Sequence, residues 1–194
     1  MRVLVLHAHP VATSFCSALH GEVVAALRGR GHAVDDCDLN SEGFNPVMSR
    51  QERIAYHDPS ANRAGVASYV ERLLAAEALV LVFPVWNYGF PAILKGFVDK
   101  VFLPGVSFEL GPDGGYTPIL RGVKRLAAVC TYGGTRWRTI LMGDPPRRVV
   151  KRSLRALIDP RARCDYLAHY DMNHTTPERR RRFLGEVRRA FEAW

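Results

Sequence analysis

The segment Phe83-Pro84-Val85-Trp86-Asn87-Tyr88-Gly89-Phe90-Pro91 gathers Phe83, Trp86, Tyr88 and Phe90 within eight residues, the last three between two prolines. Core packing does not account for aromatic side chains at that density on an expected exposed loop. Aromatic faces beside backbone amides suit a flat fused-ring ligand, which they can stack on and bond along its polar edge. The same loop would also serve as a subunit contact, and the two readings are compatible. A second segment, His7-Ala8-His9-Pro10-Val11-Ala12-Thr13-Ser14-Phe15, sets the hydroxyls of Thr13 and Ser14 at the start of an expected helix. Free N–H groups and the helix dipole attract anions there, and His9 adds a donor, so the segment reads as a phosphate site. It has neither the glycine spacing of a dinucleotide-binding turn nor the lysine of a Walker loop, and a plain capping turn with incidental histidines is the alternative. In the third segment, Thr131-Tyr132-Gly133-Gly134, paired glycines would let the backbone approach a ligand closely, or simply make a turn.

These segments must be held by the elements around them. Short apolar runs predict strands at 2–7, 33–39, 78–83, 125–131 and 164–170, the third ended by Pro84. Helical spacing predicts helices at 13–30, 64–76, 91–102 and 177–193. A further helix would be capped by Asp144, with Pro145 and Pro146 in its first turn. Residues 40–62 read as a long polar connection and 103–122 as a loop or small hairpin. Strands alternating with helices predict one α/β domain over residues 1–194: a doubly wound, five-stranded parallel sheet, strand order 2-1-3-4-5, with helices on both faces. Ligands of such sheets bind beyond the carboxyl ends of the strands where the order reverses, and that rule selects the same three loops.

The chain of 194 residues, 47% hydrophobic and 24% charged, is long enough for one full core and has an ordinary globular balance. It contains no run of eighteen apolar residues, so no integral membrane segment is expected. Arg2 leads straight into Val3-Leu4-Val5-Leu6, too short for the apolar part of a signal peptide, so a cytoplasmic address is expected. Cys16, Cys37, Cys130 and Cys164 form no CxxC pair and read as structural thiols, with Cys16 set apart by its place in the phosphate segment. The formal charge of +8 is compatible with nucleic acid, an anionic membrane face or a phosphorylated ligand. Much of the excess follows Gly143, and it reads first as a solvated arginine-rich surface with no nucleic-acid partner. The run Arg179-Arg180-Arg181-Arg182 reads the same way, its sharper alternative being the extra phosphate of NADPH or another subunit. His57-Asp58 and Tyr170-Asp171-Met172-Asn173-His174 lack metal-ligand spacing, and no metal is expected. The second of these follows the fifth strand and so falls near the pocket.

Taken together, the segments resemble the flavodoxin-like NAD(P)H:quinone oxidoreductase family. The pieces that match are His9-Pro10 with Ser14-Phe15, Asp38-Leu39, Phe44-Asn45-Pro46, and Phe83-Pro84. Pro91-Ala92-Ile93-Leu94-Lys95-Gly96, Asp99-Lys100-Val101-Phe102 and Thr131 to Gly134 complete the set, spread over roughly the first two-thirds of the chain in the family's order. The resemblance implies a flavin at the strand ends, electrons taken from NAD(P)H and passed to a quinone-like acceptor in a ping-pong cycle, and a homodimer with the site at the subunit junction. It implies flavin phosphate contacts at His9, Thr13, Ser14, Phe15 and Cys16, ring contacts at Pro84, Val85, Trp86, Asn87 and Tyr88, and polar-edge contacts at Thr131, Tyr132, Gly133 and Gly134. Cys16 stands where mammalian members have Asn. The family's Tyr and His after the glycine pair are replaced: Arg136 or Trp137 lies near the Tyr position and Met142 stands at the His. Tyr132, Arg136 and Trp137 are therefore the candidates for chemistry, with Arg136 or Arg138 able to stabilise an anionic reduced ring by its charge. The long connection after Asp38 resembles FAD-binding members, so FAD is expected ahead of FMN.

Two other readings remain. A flavodoxin-type electron carrier would usually be acidic, whereas this chain is basic. A regulatory subunit of a potassium-efflux system is permitted by the resemblance, but no docking signature stands out.

Overall fold

A computed structural model describes residues 1–194. Five parallel strands form one sheet: β1 (Arg2–His7), β2 (Ala33–Asp38), β3 (Ala78–Val85), β6 (Arg125–Tyr132) and β7 (Arg163–His169), in the order β2-β1-β3-β6-β7. Setting aside the antiparallel hairpin of β4 (Phe108–Leu110) and β5 (Tyr116–Pro118), which falls inside 103–122, this is the expected 2-1-3-4-5 order. The three central strands are buried almost throughout because helices cover both faces.

The strand period of two sorts side chains between two cores. Leu79, Leu81 and Phe83 of β3 join a cluster with α3 (Ala67–Ala75), α4 (Ala92–Val101) and the crossover helix that begins at Pro145. Ala78, Val80 and Val82 face α1 (Phe15–Gly29) and α8 (Pro177–Glu192), where Leu19, Val23, Phe183, Val187 and Phe191 complete a second cluster. No helix is long and apolar enough to cross a membrane.

Four expectations are corrected. Pro84 does not end its strand: β3 runs to Val85, with Pro84 opposite Thr131 and Val85 opposite Tyr132 of β6. The carbonyl of Val82 accepts from Ala8 N on the β1 side; two residues on, Pro84 faces the same side, where β1 has already ended, so its missing N–H costs no ladder bond. The connection 40–62 contains a helix, α2 (Arg50–Ala55), capped by Ser49 in a reciprocal box with Glu52. The stretch after the glycine pair, where no helix is expected, forms α5 (Arg136–Leu141). Asp144 precedes α6 (Pro145–Arg148) but in left-handed backbone, and its side chain makes no cap bond. α6 continues through a wider π-type turn, Val149–Leu154, into α7 (Arg155–Leu157).

The α4 motif also gains a physical reason. A Cβ on Gly96 would overlap Pro46, so only glycine lets the 44–49 segment lie directly on α4. Lys100, 6% exposed, then donates to the carbonyls of Asn45 and Val47 and pairs with Glu52 at 2.9 Å, tying the segment and α2 down.

Candidate functional site

The strand order reverses between β1 and β3, and there the three loops come together. The ring of His9 lies 5.8 Å from that of Trp86, edge-on, which joins the first loop to the second. The pairing of Pro84 with Thr131 carries the second loop alongside the third.

In the first loop, Ser14 caps α1, its Oγ accepting from Ser17 N at 3.1 Å. Thr13 is exposed, Phe15 half-buried, and His9 Nδ1 accepts from Val11 N at 3.0 Å, leaving Nε2 free to face solvent or ligand. Cys16 points the other way: it is 3% exposed within the α1–α8 core, and burial pushes its thiol up to about 12. Its side chain therefore packs, and only its backbone faces the helix end.

Behind this loop stands a chain of polar contacts absent from the sequence-based site. His7, 2% exposed, meets Asp38 Oδ2 through Nδ1 at 3.0 Å and Ser17 Oγ through Nε2 at 3.3 Å. Ser17 Oγ lies 2.9 Å from Ser14 Oγ and donates to the Val11 carbonyl. The His7 ring stacks on His20 at 4.3 Å, and His20 pairs with Asp36. Burial holds His7 below its usual range against the opposing pull of Asp38. The spacing of Ser14 and Ser17 by three in one helix turn was the available signal.

The second loop is a tight reversal. Trp86 and Gly89 exchange both backbone bonds, at 3.2 and 2.8 Å, around Asn87 (φ 48°) and Tyr88 (φ 57°). Two successive positive φ values are the signature of a type I′ turn, and a tyrosine there is strained. Trp86 (47%) and Tyr88 (39%) are exposed, while Pro84 is buried and Val85 half-buried. The N–H groups of Asn87 and Tyr88 make no bond within the chain.

In the third loop the N–H groups of Gly133 and Gly134 are likewise unused, and a Cβ on Gly134 would meet nothing. Thr131 and Tyr132 are buried. The Tyr132 hydroxyl donates to Asp144 Oδ1 and accepts from the Tyr166 hydroxyl, both at 2.6 Å. Its ring stacks on Tyr170 at 4.7 Å, and burial raises the phenol well above its ordinary range, so it stays neutral. Tyr132 thus acts below the loop, anchoring Asp144 and Tyr170. Arg136 and Trp137 stand exposed at the start of α5, and Arg136 borders a cleft of about 290 Å³ with Ile140, Arg147, Arg148 and Tyr170. The segment after β7 closes this side: Asn173 lies beside Gly133, and Asp171 N donates to the Gly134 carbonyl. In the Arg179–Arg182 run, Arg179 pairs with Asp171 ahead of α8, and Arg181 and Arg182 pair with Glu178 and Glu186 on it.

The arrangement offers a capped helix end with the unused N–H groups of Phe15 and Cys16 and the exposed Thr13 hydroxyl for a phosphate, exposed aromatic faces, and four unused backbone donors in two adjacent loops. These are the contacts a phosphorylated flat ring with a polar edge requires.

A family model described as a flavodoxin-like fold matches residues 1–157. The FMN-dependent NADH:quinone oxidoreductase of Ruegeria pomeroyi is 34% identical over 129 residues, 61% of this chain and 62% of that protein. NAD(P)H dehydrogenase [quinone] 1 of Rattus norvegicus is 31% identical over 124 residues, 55% of this chain and 45% of that protein. The chain thus spans about half to two-thirds of the length of these relatives. Among solved structures, the NAD(P)H:quinone oxidoreductase of Methanothermobacter marburgensis superposes with a TM-score of 0.85, covering 99% of this chain and 98% of that one at 22% identity, a likeness of fold.

Proposed function

From the premise that the chain belongs to the flavodoxin-like fold family, we propose that it is a flavin-dependent NAD(P)H oxidoreductase that reduces quinone-like acceptors. The observation that carries this reading is the set of unused N–H groups at Asn87, Tyr88, Gly133 and Gly134 beside the exposed Trp86 and Tyr88 rings. A flavin bound there would supply two-electron transfer between NAD(P)H and the acceptor. Ser14, Thr13, His9 and the N–H groups of Phe15 and Cys16 hold its phosphate. Trp86 and Tyr88 flank the ring, supported by Pro84 and Val85. Backbone donors of Asn87, Tyr88, Gly133 and Gly134 orient its polar edge, with Thr131 and Tyr132 beneath.

Arg136 supplies positive charge at the rim, with Trp137 exposed beside it, and Tyr132 positions the glycine pair through Asp144 and Tyr170. Donor and acceptor use the same open face in turn, as a ping-pong cycle requires. A second copy of the chain roofs that face over Trp86 and Tyr88, giving a homodimer. Relatives whose names specify a flavin specify FMN, which supports FMN ahead of FAD; the length of the connection after Asp38 supports FAD as the second reading.

The test is direct. The purified chain, reconstituted separately with FMN and FAD, is expected to turn yellow, to bleach anaerobically on adding NADPH or NADH, and to recolour on adding a benzoquinone. Denaturation then releases the flavin for identification. A chain that stays colourless with both flavins overturns the reading; one that binds flavin but resists both nicotinamide donors is a carrier rather than a reductase.

A further inference from the structure

α5 and the crossover helix behind it present an unusual surface. Trp137 (61%), Ile140 (61%), Leu141 (73%) and Met142 (55%) are all exposed, an apolar cluster on a single short helix and its cap. On the same stretch of chain Arg136, Arg138, Arg147, Arg148, Lys151 and Arg152 are all exposed. The guanidinium of Arg138 lies 5.5 Å over the Trp137 ring. Arg136, Ile140, Arg147 and Arg148 border one cleft, which sets these three cations beside the apolar cluster.

None of these cations has a carboxylate partner; the ion pairs of lysine and arginine in this protein are made by Arg72, Lys95, Lys100, Arg179, Arg181, Arg182 and Arg188. The one acid within the stretch, Asp144, is buried and engaged by Tyr132. Some exposed arginines elsewhere are balanced by acids, as Arg181, Arg182 and Arg188 are on α8. Here they are left uncompensated around exposed apolar groups.

We propose that this face docks the protein on an anionic lipid surface, with Trp137, Ile140, Leu141 and Met142 entering the headgroup region and the arginines meeting lipid phosphates. Solvent-exposed apolar clusters of this size on soluble folds mark interaction sites, and a rim of unpaired cations selects an anionic partner. Nucleic acid would use the cations but leave the apolar cluster in water. A second copy of this chain related by a twofold axis through the face would bring two uncompensated arginine sets together, which like-charge repulsion opposes. A bilayer satisfies both halves of the surface. The docked face also borders the Gly133-Gly134 loop, which would present the crevice toward acceptors dissolved in the membrane. The docking itself stands independently of the flavin reading, because it is measured without any nicotinamide donor.

The experiment is co-sedimentation of the purified full-length chain with vesicles of phosphatidylcholine alone or with about 30% phosphatidylglycerol. Binding to the anionic vesicles is expected to exceed binding to the neutral ones by more than about tenfold, and to weaken as salt rises from about 0.05 M to about 0.5 M. Brominated lipid is expected to quench tryptophan fluorescence in the native chain and to quench it much less in Trp137→Phe. Leu141→Glu and, separately, the double change Lys151→Glu with Arg152→Glu are both expected to lose binding; all four positions are exposed, and circular dichroism verifies the fold. Equal binding to both vesicle types, no binding, or retention by either variant overturns the proposal. So does a loss of dimer in Leu141→Glu without vesicle binding in the native chain, or retention by nucleic acid in preference to vesicles.

Discussion

Arg136 and His7 do different kinds of work, and their exposure decides which. Arg136 is exposed at the rim, so its charge acts across partly aqueous space. Arg136→Ala is expected to slow reduction of the bound flavin by on the order of tenfold, less than the hundred- to thousandfold of a buried oxyanion donor, measured by stopped-flow absorbance. An unchanged rate removes Arg136 from the chemistry. His7 is buried, and desolvation holds it below its ordinary value of 6.5. The unfolded chain therefore takes up that proton first as pH falls, so the native state is fully favoured above 6.5 and loses stability below it. Asp38, held below its own range, adds a loss only in more acidic solution. Urea titrations between neutral pH and about 5.5 are expected to show this decline, and His7→Leu to flatten it. Tyr132→Phe leaves the buried Asp144 carboxylate without its donor and Tyr166 without its acceptor. A cost of about 1–3 kcal/mol is expected in the same titrations.

Among elements, the turn after β3 carries the most tension. Asn87 and Tyr88 both hold positive φ in a reversal only two residues long. Such backbone costs a non-glycine residue about 1–3 kcal/mol and persists where function holds it. Tyr88→Gly is expected to raise the unfolding free energy by about 1 kcal/mol while weakening flavin binding through loss of the ring. Denaturant titration and flavin titration measure the two effects, and a Tyr88→Gly chain that gains no stability shows the turn to be unstrained. The 44–49 segment is the opposite case. Gly96 lets it lie on α4, and Lys100 fastens it, so this part of the long polar connection is a fixed wall.

For the whole molecule, the sheet is the rigid part and the carboxyl-end loops are attachments to it. A ligand that binds only the folded chain stabilises it by mass action. Flavin at about a hundred times its dissociation constant is expected to add about 2.7 kcal/mol at 25 °C, read as a rise in melting temperature of the apo chain. FMN and FAD compared in this way rank the two cofactors, and no rise with either counts against a flavin site.

Much of this was legible from residue order alone. Apolar runs and helical spacing set out the five strands, their parallel class and the three loops at the switch point, because those signals are local and periodic. The same local reading ended β3 at Pro84, since it could not know that β1 stops first and leaves that side of the strand without a partner. It assigned Asp144 to a cap because the residue precedes two prolines, whereas the carboxylate turns inward to a tyrosine twelve positions earlier in sequence. It counted Cys16 with the phosphate contacts by adjacency, but helix rotation carries the thiol into the core. The His7–Asp38–Ser17 chain joins residues from β1, the end of β2 and α1, and no spacing announces a contact across three elements. Residue order determined which loops meet; tertiary packing decided which side chains in them face the crevice and which hold the loops in place, because that choice depends on burial and partners brought in from distant parts of the chain.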